Sequence, residues 1–225
     1  HTVDQLAAAD ATVINAAMTT VNDAKNLTKV VPSIKQIQGF IKEEKRINAQ
    51  IDRLIRNAIA ASNKKAGTTT KTTKNATFAL TAELKVLADQ FTSNKGKLPW
   101  PVEKGFVKAR YGKQPSLIDK SLIVERNGVI IATEKNAKAR AVFNGVVSKI
   151  VVIKNSNPMI IIRHGNYITA YKNLSNISVK EGDKVTTKQV IGEVFTNPSN
   201  GETLLTFIIY KDSQKQNPAN WIYKM

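Results

Sequence analysis

The sequence contains no cysteine, so disulfide bonds, thiolate metal ligands and a cysteine nucleophile are excluded together. Histidine is nearly as scarce, with two residues in the whole chain, His1 and His164. The chain therefore has too few histidines for a zinc site that needs several imidazole ligands. No uninterrupted apolar run approaches the roughly 18 residues that a membrane-spanning helix requires. Because the chain starts at His1 rather than Met, we expect a trimmed or mature form that lacks any leader peptide.

Acidic residues are also few, since 17 Asp and Glu stand against 34 Lys and Arg, for a formal net charge of +17. An excess of this size favours an anionic partner, such as nucleic acid, anionic lipid, an acidic wall polymer or an acidic protein face. The basic residues are dispersed, however, and the aromatic and basic signature of an RNA-binding sheet is absent. We therefore predict no nucleic-acid partner.

The N-terminal part has a helical pattern. One apolar stripe runs from Thr2 to about Leu27, Pro32 then stops the helix, and a second stripe runs from Ile34 to about Ala61. The second stripe has heptad spacing with one charged interruption and consists of Ile37, Phe40, Glu44, Ile47, Ile51, Leu54 and Ala58. Residues 1–62 are predicted to form a helical hairpin or coiled-coil portion or, equally, an ordinary helical pair that packs on the β domain. Residues 63–76, rich in Thr and Lys, are predicted to be a linker.

Residues 77–95 are predicted to form a short amphipathic helix. Its apolar stripe consists of Leu80, Leu84, Leu87, Ala88 and Phe91. A helix of about 14 residues is marginal in isolation, so it must bury this stripe against something. Two alternatives remain open: the helix packs against the side of the β domain, or it is a self-blocking element that lies where a partner's helix would bind.

Residues 96–225 have the pattern of a small β domain, so the predicted fold class is α+β. Apolar β-type runs lie at Val146–Ile153, Met159–Arg163 and Tyr167–Tyr171, and an earlier strand is predicted from Phe106 to Tyr111. His164-Gly165-Asn166 lies between two of these runs and is predicted to be a three-residue hairpin loop.

Several ordered motifs in this part resemble the lysostaphin/LytM-type zinc endopeptidase domain. They are AVFNGVVSKI, IIIRHGNYITAYKNLS, VKEGDKVTTKQVIGEV, LLTFIIYK and NPANWI, and the resemblance extends from about Leu98 to Met225. It implies an all-β LytM-like domain. In the resembled enzymes, a His and an Asp of a His-x-Gly-x-Asp stretch and the last His of a His-x-His stretch hold zinc. The first His of that pair and a His in a Tyr-x-His-Leu stretch serve the chemistry, in which a metal-bound water attacks an amide.

Carried over residue by residue, every one of these positions is replaced in this chain. The ligand positions of His-x-Gly-x-Asp fall on Arg126 and Ile130, and the two imidazole positions of His-x-His fall on Leu204 and Thr206. The histidine of Tyr-x-His-Leu falls on Asn173. The resemblance therefore implies a domain with no catalytic residues, no metal and no other cofactor, which is not an enzyme.

His164 matches a loop His-Gly of the family that is not a metal ligand. We interpret it as a turn residue rather than a catalytic one.

Members of the family that keep the fold but lose the ligands include the EnvC-type murein hydrolase activators, and the order of segments here resembles them. That resemblance implies a periplasmic protein of cell division that docks on an FtsEX-type transporter and activates a cell-wall amidase. The amidase would bind in a groove lined by Arg126, Ile130, Tyr171, Asn173, Leu204, Thr206 and Tyr210. The upstream helix, through Leu80, Leu84, Leu87 and Phe91, would be the autoinhibitory element.

Two other interpretations stay open. In the first, the basic domain binds peptidoglycan or another anionic wall polymer and has no protein client. In the second, the domain is an active endopeptidase that binds zinc at an unrecognised site.

Overall fold

The computed structural model describes residues 34–65, 67, 75–115, 123–154 and 156–225, so the predicted helix from Thr2 to Leu27 lies outside the described part. The predicted α+β fold is confirmed: helices α1 (Ile34–Lys65) and α2 (Ala82–Ser93) precede a mostly antiparallel β domain. No helix of the described part is long and apolar enough to cross a membrane. The chain divides into two compact units, one made of His1–Asp52 with Gly112–Arg126 and the other of Arg53–Tyr111 with Asn127–Met225.

The first unit contains the N-terminal part of α1 and a two-stranded ladder. Strands β2 (Gly112–Pro115) and β3 (Ile123–Arg126) pair antiparallel, with Gly112 opposite Arg126. In the second unit, strand β1 (Phe106–Ala109) is two residues shorter than the predicted strand from Phe106 to Tyr111, and its pairing with the strand Val129–Thr133 is irregular between Val107 and Ala109.

Helix α1 buries a different stripe from the one that heptad spacing predicts. Ile47, Ile51, Ile55 and Ile59 are 0–6% exposed, whereas Leu54 and Ala58 are only partly buried. The buried residues thus recur every fourth position. A ridge of residues four apart is typical of a helix lying against a packed surface, and a strict 3-4 alternation is typical of a coiled coil. The heptad prediction is therefore wrong for residues 54 and 58.

The second unit is built on an eight-stranded antiparallel sheet. Seven of its strands lie in the order β1-β4-β12-β8-β7-β6-β10, and β13 pairs with β12. Their bounds are β4 Val129–Thr133, β6 Gly145–Val151, β7 Met159–His164, β8 Tyr167–Lys172, β10 Lys184–Val185, β12 Thr203–Lys211 and β13 Gln214–Gln216. A second sheet joins β5 (Lys138–Arg140), β11 (Val190–Val194) and β9 (Leu174–Ser175), and a 3-10 turn spans Pro218–Asn220.

The two faces of the large sheet differ in what they contact. Leu205, Phe207 and Ile209 of β12 belong to the main hydrophobic core, and we call their side of the sheet the core face. Because side chains alternate along a strand, Leu204, Thr206, Ile208 and Tyr210 lie on the opposite side, which we call the outer face.

His164 is a strand residue and not a turn residue. It pairs with Tyr167 as the last residue of β7, is fully buried, and leaves Gly165-Asn166 as a two-residue turn. The predicted three-residue loop is therefore wrong. Gly165 has a φ of +70°, which a glycine adopts without strain.

Helix α2 packs against the core face. The Thr81 hydroxyl accepts a hydrogen bond from the Leu84 N–H and caps the helix, and Phe91 is fully buried. The Phe91 ring stacks on Tyr167 and His164 at centroid distances of 4.7 and 5.0 Å. The first of the two alternatives for this helix, packing on the β domain, therefore describes the structure.

Candidate functional site

The structure brings four of the replaced positions together at one end of the outer face. Thr206 lies opposite Ile130 of β4 and opposite Lys172 of β8, and Leu204 lies two residues before it on β12. Asn173 follows Lys172 directly, and its Nδ2 donates to the Leu204 carbonyl oxygen at 2.6 Å. Ile130, Asn173, Leu204 and Thr206 are all half-buried. These four positions are thus neighbours on and next to strands β4, β8 and β12.

Asn173 serves as a structural connector in this cluster. Its backbone has a φ of +75°, a conformation that Asn tolerates better than most residues. While its Nδ2 donates to Leu204, its Oδ1 accepts a hydrogen bond from Asn157 Nδ2 at 2.6 Å. The side chain thus joins the end of β8 to the start of β12 and to the turn before β7.

Both tyrosines of the predicted groove are buried, which corrects that part of the prediction. Tyr171 lies on the core face beside Phe207, is 0% exposed, and its hydroxyl accepts a hydrogen bond from the Val142 N–H at 2.9 Å. Burial raises the pKa of Tyr171 to about 12. Tyr210 lies on the outer face but is only 1% exposed. Neither ring lines an open groove in this structure.

Arg126 is the fifth replaced position. It ends β3 in the first unit, is half-buried, and pairs with Gly112 in the two-stranded ladder.

The cluster on the outer face offers poor ligands for a metal. Leucine and isoleucine present methyl groups, and the Asn173 oxygen is already hydrogen-bonded. Across the described ranges, no three His, Cys, Asp or Glu side chains come together as a metal site would require. The arrangement is suited to binding an apolar surface with a few hydrogen bonds.

The C-terminal segment of α1, residues 53–65, covers part of the outer face, and sequence reasoning had left its packing on the β domain as one of two alternatives without linking it to the groove. Its Ile55 and Ile59 are buried, and so are Ile161, Ile168 and Ala170 of the outer face. A cavity of about 420 Å³ is lined from one side by helix residues including Ile55 and Ala58, and from the other by sheet residues including Ile161. The four-residue spacing of the isoleucines was the available sequence signal.

Arg163 ties this helix segment to the sheet. Its Nη1 donates to the Ser62 hydroxyl at 2.7 Å, its Nε donates to the Gly165 carbonyl oxygen at 2.7 Å, and its guanidinium lies 4.0 Å from the centre of the Phe78 ring. Burial lowers the pKa of Arg163, and the charge of Asp212 partly offsets this effect.

Asn63 completes the attachment from the helix side. It is fully buried, its Nδ2 donates to the Thr77 carbonyl oxygen at 2.8 Å, and its Oδ1 accepts from the Ala79 N–H at 2.7 Å. The Phe78 N–H between them donates to Asp212 Oδ1 at 2.9 Å. We call Ser62, Asn63, Phe78, Arg163 and Asp212 the latch, because together they hold residues 53–65 and 76–79 on the sheet.

The predicted autoinhibitory helix lies elsewhere. Phe91 packs on the core face, while Leu204 and Thr206 point to the outer face, so α2 does not cover them. Leu80, Leu84 and Leu87 are half-buried. This placement corrects the prediction that these four residues block the groove.

Comparison with known proteins finds a sequence family similar to the β domain. Residues 124–218 match the sequence model described as Peptidase family M23, so this part of the chain is similar to that family. All five replaced positions lie within the matched residues.

Among curated proteins, the chain is 32% identical over 136 residues to the uncharacterized protein NMB1333 of Neisseria meningitidis serogroup B. The match covers 60% of this chain and 22% of that protein, so the chain spans about a fifth of its relative's length.

Three solved structures illustrate the structural likeness. The SpoIIQ-SpoIIIAH pore forming complex gives a TM-score of 0.49 at 24% identity, covering 58% of this chain and 93% of that chain. Csd3 of Helicobacter pylori gives 0.47 at 24% identity, covering 57% and 35%. The antimicrobial peptidase lysostaphin of Staphylococcus simulans gives 0.45 at 20% identity, covering 56% and 52%.

Proposed function

We propose that this M23-like domain is a non-catalytic module of the cell envelope that binds a cell-wall amidase and activates it during cell division. One observation carries the proposal: the positions of the zinc ligands and catalytic histidines are occupied by Ile130, Asn173, Leu204 and Thr206, which form one cluster on the outer face. An apolar cluster buries a partner's leucines at little cost, whereas unmetallated His and Asp side chains would be costly to desolvate.

The proposed mode of binding is a helix of the amidase laid along the outer face. Helices bind in this way when an apolar face of the helix meets an apolar groove. The Asn173 and Thr206 side chains add polar atoms beside the aliphatic ones and would limit the orientations that the helix adopts.

The C-terminal segment of α1 is our proposed internal competitor, in place of the α2 helix that the sequence suggested. Its support is the pair of buried isoleucines, Ile55 and Ile59, and the latch at Asn63 and Arg163. Release of the latch would uncover outer-face residues next to the cluster. An FtsEX-type transporter acting on the N-terminal helical region is the proposed trigger, and the periplasm is the proposed location.

The test measures the hydrolysis of purified cell wall by a cognate amidase, alone and with the full chain. Asn63→Ala should raise the stimulation by the full chain several-fold, because it removes two of the hydrogen bonds that hold the latch. Arg53→Ala, at an exposed position of the same helix that does not line the cavity, is the control and should behave like the unmodified chain.

A second substitution tests the binding surface itself. Leu204→Glu added to Asn63→Ala should abolish stimulation, because a carboxylate in the cluster would remain unpaired against an apolar helix. If Asn63→Ala releases α1, as judged by proteolysis of residues 53–65, and no amidase is stimulated, the activator function is wrong.

Binding to an anionic wall polymer without a protein client is the second candidate function. The net charge of +17 favours it. Its test is whether binding of the full chain to purified cell wall weakens as the salt concentration rises.

A further inference from the structure

A pocket of about 480 Å³ lies apart from the outer-face cluster, within the second unit. It is formed where the segment around Leu98, the residues Thr187 and Lys188, and the C-terminal Tyr223 meet. Small-molecule sites are typically concave and about 300–1,000 Å³ in volume. None of the positions that replace the zinc ligands or catalytic histidines lines this pocket.

The lining combines aromatic rings with positive charge. Trp100 and Phe143 are half-buried, and Tyr223 is 52% exposed. Lys97 and Lys188 line the same pocket and are exposed, and no Asp or Glu is among the lining residues. Within the part of the chain that the structure describes, neither lysine forms a salt bridge, so both charges are available to a ligand.

Additional lysines increase the positive charge nearby. The Lys224 ammonium lies 5.1 Å from the centre of the Tyr223 ring, and the Lys95 ammonium lies 5.5 Å from that of Trp221. An anion bound in the pocket would be attracted by the two lysines that line it, Lys97 and Lys188, and the lysines at 95 and 224 add to the positive potential of this region.

Backbone hydrogen bonds hold the walls of the pocket in place. The Leu98 N–H donates to the Trp221 carbonyl oxygen, and the Tyr223 N–H donates back to the Leu98 carbonyl oxygen at 2.9 Å. Trp100 Nε1 donates to the Tyr223 carbonyl oxygen at 3.0 Å. The Lys188 N–H donates to the Ala141 carbonyl oxygen at 2.7 Å. A site with fixed walls loses little conformational entropy when it binds a ligand.

We infer that this pocket binds an anionic glycan, with a sugar ring against Tyr223 and Trp100 and its carboxylate or phosphate on Lys97 and Lys188. An aromatic face offers a flat apolar surface to the apolar side of a sugar ring. Lysine binds a carboxylate or phosphate as a point charge. A nucleic-acid strand suits the site less well, because it requires a basic groove that follows several nucleotides, and this pocket is confined. The inference does not depend on the proposed binding of an amidase.

The test is calorimetric titration of the full chain with four probes at low salt. They are tri-galacturonic acid as a carboxylated glycan, N-acetylglucosamine 1-phosphate as a phosphorylated sugar, neutral tri-N-acetylglucosamine, and tri-glutamate. At least one of the two anionic sugars should bind more tightly than both the neutral glycan and the acidic peptide. The anionic sugar that binds more tightly shows whether the pocket prefers a carboxylate or a phosphate.

Matched variants locate the binding. Lys188→Gln and Tyr223→Ala should each weaken binding of the anionic sugar about tenfold, the equivalent of losing one good contact. Lys135→Gln and Phe106→Ala, which change an exposed lysine and an exposed aromatic outside the pocket, should leave it unchanged. The inference would be overturned by any of three results. The control variants could lose as much affinity as the pocket variants, tri-glutamate could bind more tightly than the anionic sugars, or neither anionic sugar could bind.

Discussion

His164 illustrates at the scale of a single residue how burial sets chemistry. Its Nδ1 lies 2.6 Å from the Asn144 carbonyl oxygen, which can only accept, so Nδ1 carries the proton. Its Nε2 lies 2.9 Å from the Thr169 hydroxyl, which donates to it. Burial lowers the pKa of His164 to about 4, although the hydrogen bond to Asn144 acts in the opposite direction. The His164 ring is therefore neutral at ordinary pH and is part of the buried interior of the β domain.

This burial predicts a pH dependence of stability. The folded-state pKa of about 4 lies below the ordinary histidine pKa of 6.5, so the unfolded chain binds more protons between these pH values. The stabilisation by neutral His164 is complete above pH 6.5 and is lost as the pH falls toward 4. It amounts to about 3 kcal/mol at most. Urea unfolding at several pH values should show this loss.

Carboxylates also destabilise the fold at low pH, so a direct measurement must accompany the unfolding experiment. NMR titration of the His164 ring should show a neutral imidazole down to about pH 4. A ring that titrates near its ordinary pKa of about 6.5 in the folded protein would contradict the prediction.

At the scale of secondary-structure elements, the turn between β7 and β8 is the docking point of α2. A Cβ atom added to Gly165 would lie 2.4 Å from the Leu84 carbonyl oxygen and 2.6 Å from the Ala88 Cβ. The helix therefore approaches the turn as closely as a glycine allows. The aromatic contacts of Phe91 then fix its C-terminal half.

Gly165→Ala should consequently destabilise the protein and loosen α2. Gly201→Ala is the matched control, because Gly201 has nearly the same φ, +72° against +70°, and nothing within 4 Å of an added Cβ. Both substitutions carry the backbone strain, so their difference isolates the contact with the helix. We expect Gly165→Ala to cost about 1–3 kcal/mol more in urea unfolding. Hydrogen exchange of α2 should accelerate in this variant alone, and equal effects of the two substitutions would rule out the close contact.

The sequence could predict those elements whose position depends on the residues within the element itself. The apolar β-type runs located β7 and β8 to within a residue, and Ile130 and Thr206, which the motif alignment singled out, lie opposite each other on β4 and β12. The start of α2 at Ala82, rather than at residue 77 as predicted, was not predictable in this way. The Phe78 N–H is bound by Asp212, which is 134 residues away, and the Ala79 N–H by Asn63.

The sequence carried a signal for the buried side of α1, the four-residue spacing of its isoleucines, but it also offered a competing apolar stripe. Both the heptad set with Leu54 and the fourfold set with Ile55 are apolar, and the packing partner decides between them. The burial of Tyr171 follows from its pairing with Phe207 across β8 and β12, a contact between distant parts of the chain.

At the scale of the whole molecule, the charge of +17 predicts binding to anionic cell-wall material that weakens steeply with salt. Exposed charges are screened beyond about 10 Å at 0.1 M salt and beyond about 3 Å at 1 M. Co-sedimentation of the full chain with purified wall should therefore fall several-fold between these concentrations. If binding is unaffected by salt, the charge is not its cause, and the second candidate function loses its support.

The two hydrogen bonds of Asn173 set a structural condition on any substitution at this position. The side chain now holds the end of β8 to Leu204 and to Asn157, so histidine at this position would have to replace both contacts. Replacing Asn173 by histidine would therefore weaken the fold unless the imidazole bonded to both partners. The amide thus couples the end of β8 to two distant parts of the chain, so a substitution at this position would act on the fold as well as on the cluster.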